Sequence, residues 1–87
     1  MAKYQVILIK NTIKNLEKLD RIILQRIKQR LEYFRKNKPL SQAIQLTKPA
    51  DAQYSWRLGD YRILFDYRKS DQTIIILKIQ HRKEIYR

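Results

Sequence analysis

One glycine constrains this chain more than any other residue. Gly59 is the only glycine among 87 residues. With Asp60 it separates two runs of β-branched and aromatic side chains, residues 54–58 and 61–68, of the kind strands prefer. Glycine at the first central position suits a type II′ hairpin, so Gly59-Asp60 reads as a two-residue turn. The register follows. Leu58 pairs with Tyr61, Arg57 with Arg62 and Trp56 with Ile63. Side chains alternate along a strand, so Trp56, Ile63 and Phe65 share one face. Arg57 and Arg62 stand side by side on the other. Like charges directly opposite destabilise a sheet. An anion between them removes the conflict, and the planar guanidinium fork suits phosphate. Two arginines solvated on a polar face fit the same pattern.

Around this hairpin the rest of the chain supplies an α+β pattern. Residues 3–9 read as a first strand, because Val6, Ile7, Leu8 and Ile9 form a short β-branched run. Asn11-Thr12 offers helix N-cap chemistry. From about residue 13 to 36 the apolar residues Ile13, Leu16, Leu19, Ile23, Ile27, Leu31 and Phe34 recur every three or four positions, which makes one core-facing stripe. Asp20 is placed to cap a second helix, so the pattern predicts a break near Leu19-Asp20 and a pair of helices. Glu17 with Arg21 and Glu32 with Lys36 are spaced for i,i+4 support. Residues 37–53, with Pro39 and Pro49, read as a connector containing a short extended piece near residues 43–46. After a second turn at 69–72, residues 73–79 make the strongest strand, apolar enough for a central place in the sheet. Regular alternation places Ile75, Leu77 and Ile79 on one face and Lys78, Gln80 and Arg82 on the other.

Charge points to a polyanionic partner, and nucleic acid, an acidic protein and an anionic membrane surface all satisfy it. Twenty Lys and Arg against eight Asp and Glu give +12, with a pI near 10.2. Such an excess favours a polyanion through phosphate contacts and counter-ion release. Arg21, Lys28 and Arg35, seven residues apart on the second helix, add a basic face with Arg26, Arg30 and Lys36 nearby. Lys48 in the connector and Lys78 and Lys83 near the end are further candidate RNA contacts. The chain has no cysteine and one histidine, which argues against thiolate chemistry and a histidine-based metal cluster. No cofactor is expected. No apolar run reaches the roughly 18 residues of a membrane span, and the start lacks a signal-peptide pattern. A single domain over residues 1–87, acting in the cytoplasm with no membrane role, is the expectation.

Two segments together, residues 56–65 (Trp-Arg-Leu-Gly-Asp-Tyr-Arg-Ile-Leu-Phe) and 81–87 (His-Arg-Lys-Glu-Ile-Tyr-Arg), resemble the RelE/ParE superfamily of toxins of type II toxin–antitoxin systems. The length and the strand–helix–helix–strand–strand–strand order are similar as well. The resemblance implies a RelE-like α+β fold, an antiparallel four-stranded sheet with two N-terminal helices packed on it. It implies a ribosome-dependent mRNA endonuclease that inhibits translation without a metal. In that chemistry the 2′-oxygen attacks the adjacent phosphate, leaving a 2′,3′-cyclic phosphate and a 5′-hydroxyl. By position, Arg62 matches a transition-state stabiliser and Arg57 a basic strand residue that binds phosphate or supports deprotonation. Arg82 matches a group acting on the leaving oxygen, and Tyr86 a base-stacking tyrosine. His81 is the titratable candidate on its own chemistry. Ser55 stands where many RelE-like ribonucleases carry Lys or Arg, and Gln80 replaces a frequent glycine. The resemblance also implies an acidic RelB-like antitoxin forming a hetero-oligomer with this chain, and the ribosome and mRNA as further partners. A ParE-like inhibitor of DNA gyrase and a non-catalytic nucleic-acid-binding module are the alternatives.

Overall fold

In a computed structural model of the chain, residues 4–47 and 52–81 are described. Five strands and three helices follow in the order β1 (Gln5–Leu8), α1 (Lys10–Glu17), α2 (Arg21–Lys36), α3 (Pro39–Gln42), β2 (Ile44–Gln45), β3 (Tyr54–Leu58), β4 (Tyr61–Arg68) and β5 (Thr73–His81). The sheet order is β1-β5-β4-β3-β2. The α+β class is the expected one, and the helix break falls between Glu17 and Arg21 as the capping pattern requires. Two details differ from a four-stranded antiparallel sheet. The connector's short extended piece pairs with β3 and becomes a fifth, edge strand. β1 runs parallel to β5, whereas the other pairings are antiparallel.

The β3–β4 turn is the one the sequence predicts. Leu58 pairs with Tyr61, Arg57 with Arg62 and Trp56 with Ile63. Gly59 takes φ +58°, and Asp60 is not among the described residues with positive φ, as a II′ turn requires. β5 departs from simple alternation. Lys78 pairs with Leu64 but Ile76 pairs with Phe65, leaving Leu77 as the extra residue of a bulge. The bulge shifts the phase of the strand. Ile74, Ile76 and Ile79 therefore enter the core, whereas regular alternation would have put Ile75 and Leu77 on the same face as Ile79.

The core is one layer between α2 and the sheet. Phe34 is fully buried. Its ring stacks on Trp56 at 4.0 Å between centroids and meets Phe65 edge-on at 5.6 Å. Ile27, two stripe positions before Phe34 on α2, is buried in the same cluster as Ile63 and Ile79.

α1 has a different task from the one its sequence suggests. Asn11 and Thr12 lie inside the helix, whose N-cap residue is Ile9 without a side-chain cap. Thr12 Oγ1 instead donates to the Ile76 carbonyl at 2.7 Å, fully buried. Asn15 Oδ1 accepts from the Ile79 amide at 3.5 Å. β1 stops pairing at Ile76, so α1 covers the edge of β5 that β1 leaves open. Asp20 occupies the α2 N-cap position, also without a side-chain cap bond. Glu17 and Arg21 fall on separate helices and are not among the ion pairs of the described residues. Thr12→Val removes the buried hydroxyl bond and is expected to cost about 1–2 kcal/mol in urea unfolding. Phe34→Ala opens the aromatic stack and is expected to cost about 3–5 kcal/mol.

Candidate functional site

The helices cover one face of the sheet, and the other carries the charge. Arg57 on β3, Arg62 on β4 and Gln80 on β5 form one row across three strands. Leu58 and Tyr61 close the two-residue turn, so Arg57 and Arg62 are the next, non-hydrogen-bonded pair. Cβ atoms at such a pair stand roughly 4.5–5.5 Å apart. Arg57 is exposed and Arg62 half-buried. The next row places Lys78 beside Leu64, diagonal to Arg62. Asp66 is the nearest carboxylate on this face along β4, and its Oδ1 accepts the Gln53 amide at 2.8 Å. Neither Arg57, Arg62 nor Lys78 joins an ion pair among the described residues. The row is thus a concentrated cationic surface suited to phosphate.

His81 does not join it. It pairs with Tyr61, one position out of phase with Arg62 and Gln80, and so lies on the helix side. Its ring meets Tyr61 edge-on at 5.0 Å and 86°. There it borders a cleft of about 580 Å³ with α2 and the β3–β4 turn. The expected convergence of His81 on the arginine pair therefore fails on strand parity. Among the described residues the charged row holds no group that titrates near neutral pH.

The basic face of α2 is divided. Arg21 and Lys28 are exposed and unpaired among the described residues. Arg35, expected to contact RNA, is engaged by Glu32 through Nε–Oε1 at 2.9 Å and Nη2–Oε2 at 3.0 Å. Lys36 approaches the same carboxylate at 3.8 Å. These bonds hold the Glu32 carboxyl below its usual range and raise the Arg35 guanidinium. Asp71 is likewise lowered, first by its bidentate bond from Arg68. Lys48, Arg82, Lys83 and Tyr86 lie outside the described residues.

Sequence reasoning missed two things here. Gln80 completes the Arg57–Arg62 row, which only the β4–β5 register reveals. Arg26 and Arg30 border the cleft. Their i,i+4 spacing beside Ile23 and Ile27 was the available signal.

Residues 6–86 match the family described as ParE toxin of type II toxin-antitoxin system, parDE. The chain belongs to this toxin family. The toxin also resembles solved structures at a level above fold alone. The toxin–antitoxin complex RelBE2 from Mycobacterium tuberculosis matches with a TM-score of 0.79 and 26% identity, covering 93% of this chain and 100% of that one. The archaeal RelE–RelB complex from Pyrococcus horikoshii matches with a TM-score of 0.74 and 28% identity, covering 93% and 97%. The intact Escherichia coli RelBE complex shares the fold, with a TM-score of 0.69, 12% identity and coverage of 90% and 95%. No curated protein matches the toxin by sequence.

The Glu32–Arg35 pair has a defined acid limit. A depressed carboxyl contributes above its unfolded value, and the contribution is lost as pH falls through the folded value. The Arg35 side-chain NMR signal is expected to hold steady through neutral pH and move only below the usual carboxylate range.

Proposed function

We propose that this toxin acts on RNA, as a ribosome-dependent mRNA endonuclease that arrests translation. The observation that carries the reading is the Arg57–Arg62 pair, set directly opposite on the helix-free face and uncompensated by a carboxylate among the described residues. A scissile phosphate between the two guanidiniums offsets their repulsion. As the 2′-oxygen attacks phosphorus and the 5′-oxygen leaves, negative charge grows on the non-bridging oxygens. Oriented cations stabilise that charge more than they stabilise the ground state. Guanidiniums keep their protons at neutral pH, so Arg57 and Arg62 serve as charge stabilisers. In this reading Arg82 neutralises charge on the leaving oxygen, water takes the 2′-hydroxyl proton and returns one to the 5′-oxygen, and Tyr86 stacks on a base. Lys78, Lys48, Lys83 and the exposed cations Arg21 and Lys28 extend the phosphate track. In this reading His81, on the helix side of the sheet, takes no part in this face's chemistry.

An antitoxin partner belongs to the same reading. The solved relatives are toxin–antitoxin complexes, and +12 of net charge favours an acidic binding segment that orders as it docks. A cytoplasmic site of action suits translating ribosomes. No helix among the described residues is long and apolar enough to cross a membrane.

A gyrase-directed toxin is the second reading. The ParE family match over residues 6–86 favours it. A bare nucleic-acid-binding module is the third, on charge alone. Translating extract separates them. Wild type is expected to cleave message, mapped by primer extension, and Arg62→Ala to slow cleavage by about 10²–10³. Intact message with stoichiometric loss of gyrase supercoiling would replace the nuclease reading with the second. Intact message, active gyrase and retained RNA affinity would leave the third.

A further inference from the structure

The cleft on the helix side borders the tip of the charged hairpin. Ile27 and Leu58 belong to the core and show only 1% and 6% of their surface. The side chains open to a ligand are therefore Ile23, Arg26, Arg30, Asp60, Tyr61 and His81. Arg26 and Arg30 are exposed and one helical turn apart on the same side of α2. Neither makes an ion pair among the described residues. Asp60 is the one carboxylate of the lining, which leaves two guanidiniums against it. Tyr61, half-buried, meets His81 edge-on at 5.0 Å between centroids and adds an aromatic wall. Guanidiniums beside aromatic rings are the groups that single-stranded nucleic acid uses, cations for phosphates and a π-face for a base. A cleft of about 580 Å³ holds a nucleotide rather than only an ion.

The cleft and the arginine row meet at one end of the sheet. Arg57 and Arg62 are the pair next to Leu58 and Tyr61, which close the turn. Tyr61 and Arg62 are neighbours on β4 whose side chains go to opposite faces. Only the hairpin tip separates the two surfaces, and its ridge is low. Gly59 has no side chain, and a Cβ there would meet nothing within 4 Å. We infer that an RNA strand lying on the Arg57–Arg62 row crosses over Gly59 and sets its flanking nucleotides in the cleft, with phosphates on Arg26 and Arg30 and a base against Tyr61. The inference rests on the RNA reading proposed above and extends the bound strand beyond the scissile phosphate to the helix side. Asp60 is exposed at the tip, where solvent and salt screen its charge.

The test uses isotopically labelled full-length toxin and a 2′-O-methyl nonauridylate, which lacks the attacking hydroxyl and stays intact. Anisotropy of a fluorescent copy reads affinity. The probe is expected to shift amide signals at residues 23–30 and 58–61. Replacing Arg26→Ala and Arg30→Ala together is expected to weaken it by about tenfold. The slope of log affinity against log salt is expected to fall by roughly 1.4, about 0.7 for each phosphate released. Lys10→Ala with Lys69→Ala removes the same charge from exposed positions outside the cleft and the row, and is expected to leave that slope unchanged. Tyr61→Leu keeps apolar bulk and is expected to lose about tenfold through stacking, again with an unchanged slope. Circular dichroism checks that each variant folds. Wild-type affinity and slope in the Arg26/Arg30 variant would overturn the inference, as would an equal loss in the Lys10/Lys69 control. Uridine monophosphate filling the cleft as tightly as the nonamer would also overturn it, because the site would then serve a free nucleotide. Arg57→Ala with Arg62→Ala separates the two readings. Loss in that pair alone keeps the RNA reading of the row and overturns the cleft. Loss in the Arg26/Arg30 pair alone keeps the cleft as an RNA site and overturns the reading of the row.

Discussion

Two residues between Leu58 and Tyr61 decide which side of the sheet each neighbour faces. A loop one residue longer or shorter would move a strand's side chains to opposite faces. With Gly59 at φ +58°, the turn closes after two residues and locks Trp56 against Ile63. The same lock sets Arg57 against Arg62. Core formation and charge concentration are thus one geometric event. The apolar face cannot be buried without bringing the two guanidiniums together on the other side. Hydrophobic burial supplies the free energy that holds this like-charge pair in place.

The helices complete that division of labour. α2 spends its apolar stripe on the sheet, with Phe34 stacked over Trp56, and among the described residues no helix covers the opposite face. Open antiparallel faces are common in small α+β domains. Here the open face carries Arg57 in register with Arg62, and Lys78 one row away. α1 protects the outer edge of β5 where β1 ends, through Thr12 and Asn15. That protection leaves β5 free to present Lys78 and Gln80 without offering its backbone for adventitious pairing.

Much of this was legible from the chain. The helix break, the hairpin register and the arginine pair all follow from local signals, namely one glycine, a period of three to four and strict alternation. The elements that escaped depend on contacts between distant residues. Thr12 looked like a cap because hydroxyls near helix starts usually are caps. Its partner, Ile76, is far away in sequence. Arg35 looked available for RNA because its bond to Glu32 competes with an i,i+4 pair, Glu32–Lys36, that spacing alone also permits. His81 looked like a member of the arginine site because sequence adjacency to the terminal basic residues carries no information about strand parity. Only the β4–β5 ladder, which follows a turn less regular than Gly59-Asp60, settles that parity. Family membership was legible from the hairpin motif at residues 56–65 together with the C-terminal motif at 81–87.

The bulge at Leu77 divides β5 into two lengths that answer to different selective demands. Before it, the strand runs between β1 and β4, and nearly every residue is apolar. After it, inward Ile79 and His81 alternate with outward Lys78 and Gln80. A phase shift between the halves means that neither pattern is forced upon the other. Drift in the first half is judged by how well the sheet packs. Drift in the second is judged by what the outer surface touches. One inserted residue thus lets the core phase of the first half and the surface phase of the second be set independently.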